Sequence, residues 1–201
     1  MAFVSGEGPK PKKTTLRIFL AVFPPPAIQN AVHALADSLR RPGDGVSWVK
    51  ADNLHYTLRF IGDVGEDGAR RVAEAAAEAA AAHVAFDATL GGLGAFPNPR
   101  RARVIWIGLA GGAEPLETLA RDLEAALRQR GFDRADHAFT AHLTLGRIRE
   151  AGPDWSARLA AVPALDPSLA FRIDRIGVIE SQLSPKGSIY TVRAEGWLAE
   201  L

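Results

Sequence analysis

Cysteine is absent from all 201 residues. That excludes a disulfide framework, a zinc–thiolate site and a cysteine nucleophile. It agrees with a reducing compartment such as the cytoplasm. Charge of one sign is also lacking: 24 Lys and Arg stand against 23 Asp and Glu, a formal +1. Bulk charge therefore does not bind this chain to a polyanion, and any such contact needs a local basic patch. No apolar run approaches the ~20 residues of a membrane-spanning helix. Lys10, Lys12 and Lys13 before an apolar stretch imitate a secretion signal. Arg17 interrupts the stretch, Pro24-Pro25-Pro26 ends it, and no small-residue cleavage site follows. Residues 1–13 read as a flexible tail, and residues 14–201 as one unit. Familiar site signatures are missing too. Gly91-Gly92-Leu93-Gly94 lacks the Gly-Lys-Ser/Thr of a phosphate loop. No serine sits in a nucleophile-elbow pattern.

What is present is ordinary globular material, 47% hydrophobic and 23% charged. Strand and helix signals alternate. Leu16–Phe23 reads as a strand, and Ala27–Arg40 as a helix with Ile28, Val32, Leu35 and Leu39 at helical spacing. Val46–Lys50 and His55–Ile61 read as strands, and the alanine-rich Asp67–His83 as a helix. Phe86–Leu93 and Arg103–Leu109 read as strands joined by the Pro97-Asn98-Pro99 turn. Glu114–Arg130 carries Leu116, Leu119, Leu123 and Leu127 on one face and stops at Gly131. His142–Ile148 is a strand and Asp154–Ala161 a short helix. Leu169–Leu183 and Ile189–Leu198 are strands split by the turn Ser184-Pro185-Lys186-Gly187. The mixed order and hairpin-like pairs predict an α+β fold with largely antiparallel sheets.

One short pattern occurs twice: His55-Tyr56-Thr57-Leu58 and His142-Leu143-Thr144-Leu145. Strand alternation puts His and Thr on one face and the other two residues on the opposite face. A lone His-x-Thr in a strand is usually only a strand. Two copies in matching apolar settings offer two imidazoles and two hydroxyls to a shared cleft. That set suits a phosphodiester. In-line displacement needs a base on the attacking oxygen and an acid on the leaving oxygen, and histidine does either near neutral pH. Threonine hydroxyls can donate to the non-bridging oxygens. The two motif histidines lack carboxylates at metal-ligand spacing, so no metal and no cofactor are expected. His33, His83 and His137 lack a matching partner and read as solvated or structural.

With these motifs the chain resembles the two-histidine phosphoesterase superfamily, and within it the RNA 2′,3′-cyclic phosphodiesterases, the LigT-like or 2′-5′ RNA ligase family. The resemblance runs from about Leu16 to Leu198. It is carried by Arg17–Val22, Trp48–Gly62, Gly91–Trp106, Phe139–Arg147 and Ser181–Tyr190. Tyr56 stands where leucine is common, and Gly146 where alanine is common; neither touches a His or Thr of the motifs.

The resemblance implies two similar α+β lobes related by a pseudo-twofold axis, with the motifs facing across a central groove. It implies hydrolysis of an RNA terminal 2′,3′-cyclic phosphate to a 2′-phosphomonoester. His55 would be the proton donor to the leaving 3′ oxygen, His142 the acceptor that activates water, and Thr57 and Thr144 the phosphate holders. Joining of tRNA half-molecules through a 2′-5′ linkage is the nearest alternative activity, and a non-catalytic module that binds RNA ends is the alternative of another class. A cytoplasmic monomer acting on RNA ends is expected, with tRNA fragments as one candidate class.

Further residues are candidates for holding the substrate. Arg59 shares parity with His55 and Thr57, so a regular strand aims it into the groove to neutralise phosphate. Arg147 has the opposite parity from His142 and reaches the groove only if the strand twists or bulges. Arg100, Arg101 and Arg103 form the one dense basic cluster, which suits RNA backbone contact. Of Trp48, Phe96, Trp106 and Tyr190, only Tyr190, beside a turn, is expected near the groove, where it would stack on a base. Lys186 shares that turn.

Overall fold

A computed structural model describes residues 15–150, 153–163, 169–185 and 187–200. The tail read at residues 1–13 and Lys186 lie outside them. The elements run β1 (Leu16–Val22), α1 (Pro26–Leu39), β2 (Val46–Trp48), β3 (Tyr56–Val64), α2 (Glu66–Ala81), β4 (Phe86–Phe96), β5 (Val104–Gly111) and α3 (Ala113–Gln129). There follow β6 (Leu143–Ile148), α4 (Ser156–Ala160), β7 (Ala170–Ile173), β8 (Arg175–Ser184) and β9 (Gly187–Trp197). Single 3-10 turns precede β3 at Ala51–Asn53 and β5 at Pro99–Arg101.

Nine strands form one sheet in the order β7-β4-β5-β6-β3-β1-β8-β9, with β2 added beside β6. All named strand pairs among the described residues are antiparallel. The order reads alike from either end toward the middle. Each half has an edge strand, a hairpin partner, an inner strand and a motif strand. The halves meet where β3 adjoins β6, through the single register pair Tyr56 and Leu143. The α+β class, the antiparallel sheet and the two-lobed symmetry all appear.

Helix burial follows the apolar period. Ile28, Val32, Ala36 and Leu39 of α1 are buried, as are Leu116, Leu119, Leu123 and Leu127 of α3. They join Leu20, Tyr56, Leu143 and Leu145, all fully buried, in a core that spans both halves. Each such leucine contributes roughly 1.5–3 kcal/mol by leaving water. Truncating one to alanine is expected to cost about 2–5 kcal/mol once the cavity is counted.

Three readings of the strands need correction. Both motif histidines lie one residue outside their strands, which begin at Tyr56 and Leu143. The run Leu169–Leu183 is two strands: β7 pairs with β4 in one half, and β8 pairs with β1 in the other. Asp174 separates them, and its carbonyl accepts from Leu198 N–H at 2.8 Å instead of from a strand neighbour. The third correction concerns Arg59 and belongs to the site.

Candidate active site

His55 and His142 stand just before the two residues that join the halves. Continued by one residue, that register sets His55 across from Thr144 and His142 across from Thr57. Paired residues of an antiparallel ladder share a face. Burial supports that reading: Tyr56, Leu58, Leu143 and Leu145 are buried, while His55, Thr57, His142 and Thr144 are half-buried. The alternation read from both motifs holds through the threonines.

Each imidazole is anchored through Nδ1. His55 Nδ1 lies 2.7 Å from the Asn53 carbonyl, and His142 Nδ1 lies 2.8 Å from the Thr140 carbonyl. A carbonyl only accepts, so Nδ1 carries the hydrogen in both rings. In a neutral ring this leaves Nε2 as a free base; in a charged ring, as a free acid. The segment before His55 is fixed from two further directions. The buried Gln29 of α1 donates Nε2–H to the Leu54 carbonyl at 3.0 Å, and Asn53 Nδ2 donates to the Ser188 carbonyl at the start of β9 at 2.9 Å.

The two rings sit in different surroundings. His55 is caged by aromatics, with ring centroids 4.9 Å from Phe19, 5.3 Å from Phe23 and 5.5 Å from Tyr190. That burial pushes its pKa down to about 4, against the opposing hydrogen bond to Asn53 and with help from the charges of Arg147 and His142. His142 meets the edge of Phe96 at 5.0 Å and of Trp106 at 6.4 Å. Burial also raises the Tyr190 hydroxyl pKa, against a hydrogen bond from Ser188 and the Arg147 charge. Arg147 thus lies beside both His55 and Tyr190.

Matching bulges decide which arginine enters the groove. In β6, Trp106 pairs with Thr144 and Ile105 with Gly146, so Leu145 is an extra residue. Such a bulge shifts the alternation by one. Gly146 turns inward and Arg147 turns out to the groove face, exposed. In β3, Ala21 pairs with Thr57 and Leu20 with Arg59, so Leu58 is the extra residue. Leu20 belongs to the core, so its partner Arg59 turns away from the groove. There Arg59 Nε meets Glu124 Oε2 of α3 at 2.9 Å, and Arg59 Nη2 donates to the Asp133 carbonyl at 2.6 Å. The parity argument that aimed Arg59 at a phosphate is therefore corrected. Gly146 has a packing reason as well: a Cβ there would lie 2.6 Å from Val46 Cγ1 and 3.1 Å from the Trp48 ring.

The remaining candidates divide. Tyr190 stands against His55. Phe96 and Trp106, not expected near the groove, touch His142, and Trp48 packs against Trp155. Gly94 makes room for Trp106, since a Cβ there would lie 2.2 Å from Trp106 Cζ2. Arg100 and Arg101 sit exposed on the 3-10 turn that follows Phe96. Arg103 is exposed at the start of β5 and donates to the Arg149 carbonyl at 3.2 Å. His33 pairs with Asp37 at 3.4 Å and His83 with Asp122 at 3.0 Å, so both are structural. The cage residues Phe19 and Phe23 were missed. Their signal in the sequence, alternate positions flanking the first strand's end, looks like ordinary core.

Residues 22–106 and again residues 107–190 match the LigT-like phosphoesterase family, one histidine motif in each match. The chain is similar to the RNA 2′,3′-cyclic phosphodiesterase of Archaeoglobus fulgidus, 36% identical over 178 residues, which are 87% of this chain and 96% of that protein. It is likewise similar to the RNA 2′,3′-cyclic phosphodiesterase of Methanothermobacter thermautotrophicus, 33% identical over 88% of this chain and 95% of that one. Among solved structures, TT0787 of Thermus thermophilus superposes with a TM-score of 0.76 at 29% identity, covering 91% of this chain and 98% of its own. With one anchored histidine at the head of each motif strand, and a family match in each half that together span residues 22–190, this chain belongs to the LigT-like phosphoesterase family.

Proposed function

We propose that this chain hydrolyses the 2′,3′-cyclic phosphate at an RNA end to a 2′-phosphomonoester, using His55 and His142 as acid and base without a metal. The observation that carries the reading is the pair of imidazoles, each held by Nδ1 to a backbone carbonyl so that Nε2 is left for chemistry, at the head of the two motif strands that pair with each other. One water proton passes to His142 as the water oxygen bonds to phosphorus. The bond from phosphorus to the 3′ oxygen breaks, and His55 gives that oxygen its proton. Thr57 and Thr144 donate to the non-bridging oxygens, and Arg147 offsets the phosphate charge. The two imidazoles supply both proton transfers, which is why no metal enters the scheme.

A neutral His55 in the free protein is compatible with the acid role, because a bound phosphate anion favours its protonated form. The low pKa of His55 also favours a second reading in which the two roles are exchanged. Ligation through a 2′-5′ linkage is the same displacement with a 5′ hydroxyl attacking in place of water, the bond from phosphorus to the 3′ oxygen again breaking. A purely binding module has no use for two anchored, titratable rings.

The proposal treats residues 14–201 as one catalytic unit, since the sheet is continuous through both halves. It takes the unit as a monomer, since one chain brings both motifs together. It places the protein in the cytoplasm with its RNA. No helix among the described residues is long and apolar enough to cross a membrane. The test is an oligonucleotide ending in a 2′,3′-cyclic phosphate, incubated in EDTA. Conversion to the 2′-phosphate isomer is expected. A 3′-phosphate product, or turnover lost in EDTA and restored by a divalent cation, would overturn the reading.

A further inference from the structure

The hydrogen bond that orients the His55 ring is a local one. Its acceptor is the carbonyl of Asn53, two residues back, so it holds the imidazole against its own lead-in and against nothing else. A shift of that lead-in would carry ring and acceptor together. The lead-in must therefore be fixed by other elements, and two hydrogen bonds do this from different sides. Gln29 of α1 donates to the Leu54 carbonyl at 3.0 Å from within the core. Asn53 itself donates Nδ2–H to the Ser188 carbonyl of β9 at 2.9 Å. β9 lies three places from β3 in the sheet, and 135 residues separate the two partners.

Asn53 thus does two things at once. Its carbonyl orients the imidazole, and its amide ties that support to the strand that carries Tyr190, whose ring lies 5.5 Å from His55. The backbone of Asn53 is already held, since it ends the 3-10 turn Ala51–Asn53 and gives its N–H to the Lys50 carbonyl at 3.0 Å. The residue is half-buried. A hydrogen bond there largely replaces one to water and adds little to stability. What it adds is a fixed distance between His55 and the opposite wall.

The other half has no such tie. The matching position before His142 is Thr140, whose carbonyl anchors the ring. Thr140 is exposed, and its side chain bonds to none of the described residues. The difference fits the two proton transfers. A base that acts on water has a mobile partner, which can come to it. An acid that acts on the 3′ oxygen has a partner fixed by the bound substrate, so a displaced ring is not met halfway.

We propose that Asn53 is a positioning residue for the acid step, its amide on Ser188 setting the point from which His55 delivers its proton to the 3′ oxygen. The inference rests on the acid role given to His55.

The experiment measures kcat and KM of wild type, Asn53→Ala, Asn53→Asp and His55→Ala on two substrates: a natural cyclic-phosphate terminus, and an analogue whose leaving oxygen belongs to an activated phenol. Asn53→Ala is expected to lower kcat on the natural terminus by about 10²-fold, the scale of an ångström's misplacement, with KM little changed. On the analogue it should run close to wild type, because that leaving group needs no proton. Asn53→Asp keeps the size and loses the donor, so it should show the same split, and it decides the matter if the alanine variant does not fold. Equal losses on both substrates, a change confined to KM, or no loss at all would overturn the proposal, since a merely structural residue does not distinguish leaving groups. His55→Ala is the control for the acid role. If the analogue fails to rescue it, the acid reading falls and the inference with it; if the analogue rescues His55→Ala and not the Asn53 variants, only the inference falls.

Discussion

Arg59 and Glu124 form a shielded ion pair, 2.9 Å apart, on the face of β3 turned away from the groove. Glu124 also accepts the Ala135 N–H at 2.8 Å, and Arg59 donates to the Asp133 carbonyl. The pair therefore ties the strand that follows His55 to the loop that leads into His142. It couples the two halves of the site from behind.

Arg59→Ala should accordingly act on chemistry through position rather than through phosphate binding. Leaving Glu124 without its partner is expected to cost about 1–3 kcal/mol of stability. Misplacement of His142 by as little as an ångström is expected to lower kcat by about 10²-fold. KM should change little. A purely raised KM would put Arg59 back in the phosphate site.

His55 gives a pH signature in stability. Its pKa is depressed from 6.5 to about 4 on folding. The unfolded chain therefore takes up a proton in that window while the folded chain does not. Stability from this group is complete above about pH 6.5 and is lost as pH falls toward 4. The loss amounts to roughly 3 kcal/mol at one pKa unit per 1.36 kcal/mol. Denaturant melts between pH 4 and 7 should show this slope in wild type and a shallower one in His55→Ala. Parallel slopes would mean that the cage does not keep the ring neutral.

The threonines should matter less than the histidines. Thr57→Ala and Thr144→Ala each remove one neutral donor, worth roughly 10²-fold in kcat at the low end for such groups. Loss of a histidine is expected to reach up to about 10⁴-fold. A fully active threonine variant would take that residue out of the site.

Arg100 and Arg101 report on the RNA backbone. Replacing both with Ala should weaken oligonucleotide binding and flatten the slope of log K against log salt by about 1.4, the release expected from two contacts to a single strand. Cyclic mononucleotides should be less affected. Unchanged affinity across salt concentrations would return the pair to a solvated turn.

How far the sequence carried these conclusions depends on the residue. The His-x-Thr pairs and their common face were legible, because period-two alternation needs only neighbours in the chain. Arg59 and Arg147 were not, because each lies past a bulge. The bulge is set by how Leu58 and Leu145 meet β1 and β5. Those partners lie far off in sequence, and nothing local marks the slip. The break at Asp174 was hidden for a related reason: β7 and β8 are both strand-like, and only their partners show that they belong to different halves. The aromatic cage escaped because Phe19 and Phe23 read as core residues, and the tautomer escaped because it depends on backbone carbonyls. Helix positions fared better. The leucines of α3 were placed by spacing alone, since its apolar face decides its burial.

The acid–base couple is tested most directly by two variants on two substrates. His55→Ala and His142→Ala are each assayed on a natural cyclic-phosphate terminus and on an analogue whose leaving oxygen belongs to an activated phenol. A pH profile cannot assign the roles, since both assignments give the same bell for a coupled pair. An activated leaving group departs without a proton, so His55→Ala should recover most of its activity on the analogue. His142→Ala should stay slow on both, because water still needs a base. Rescue of His142→Ala instead would exchange the roles. Small, equal losses in both variants on both substrates would contradict two-histidine catalysis in this protein.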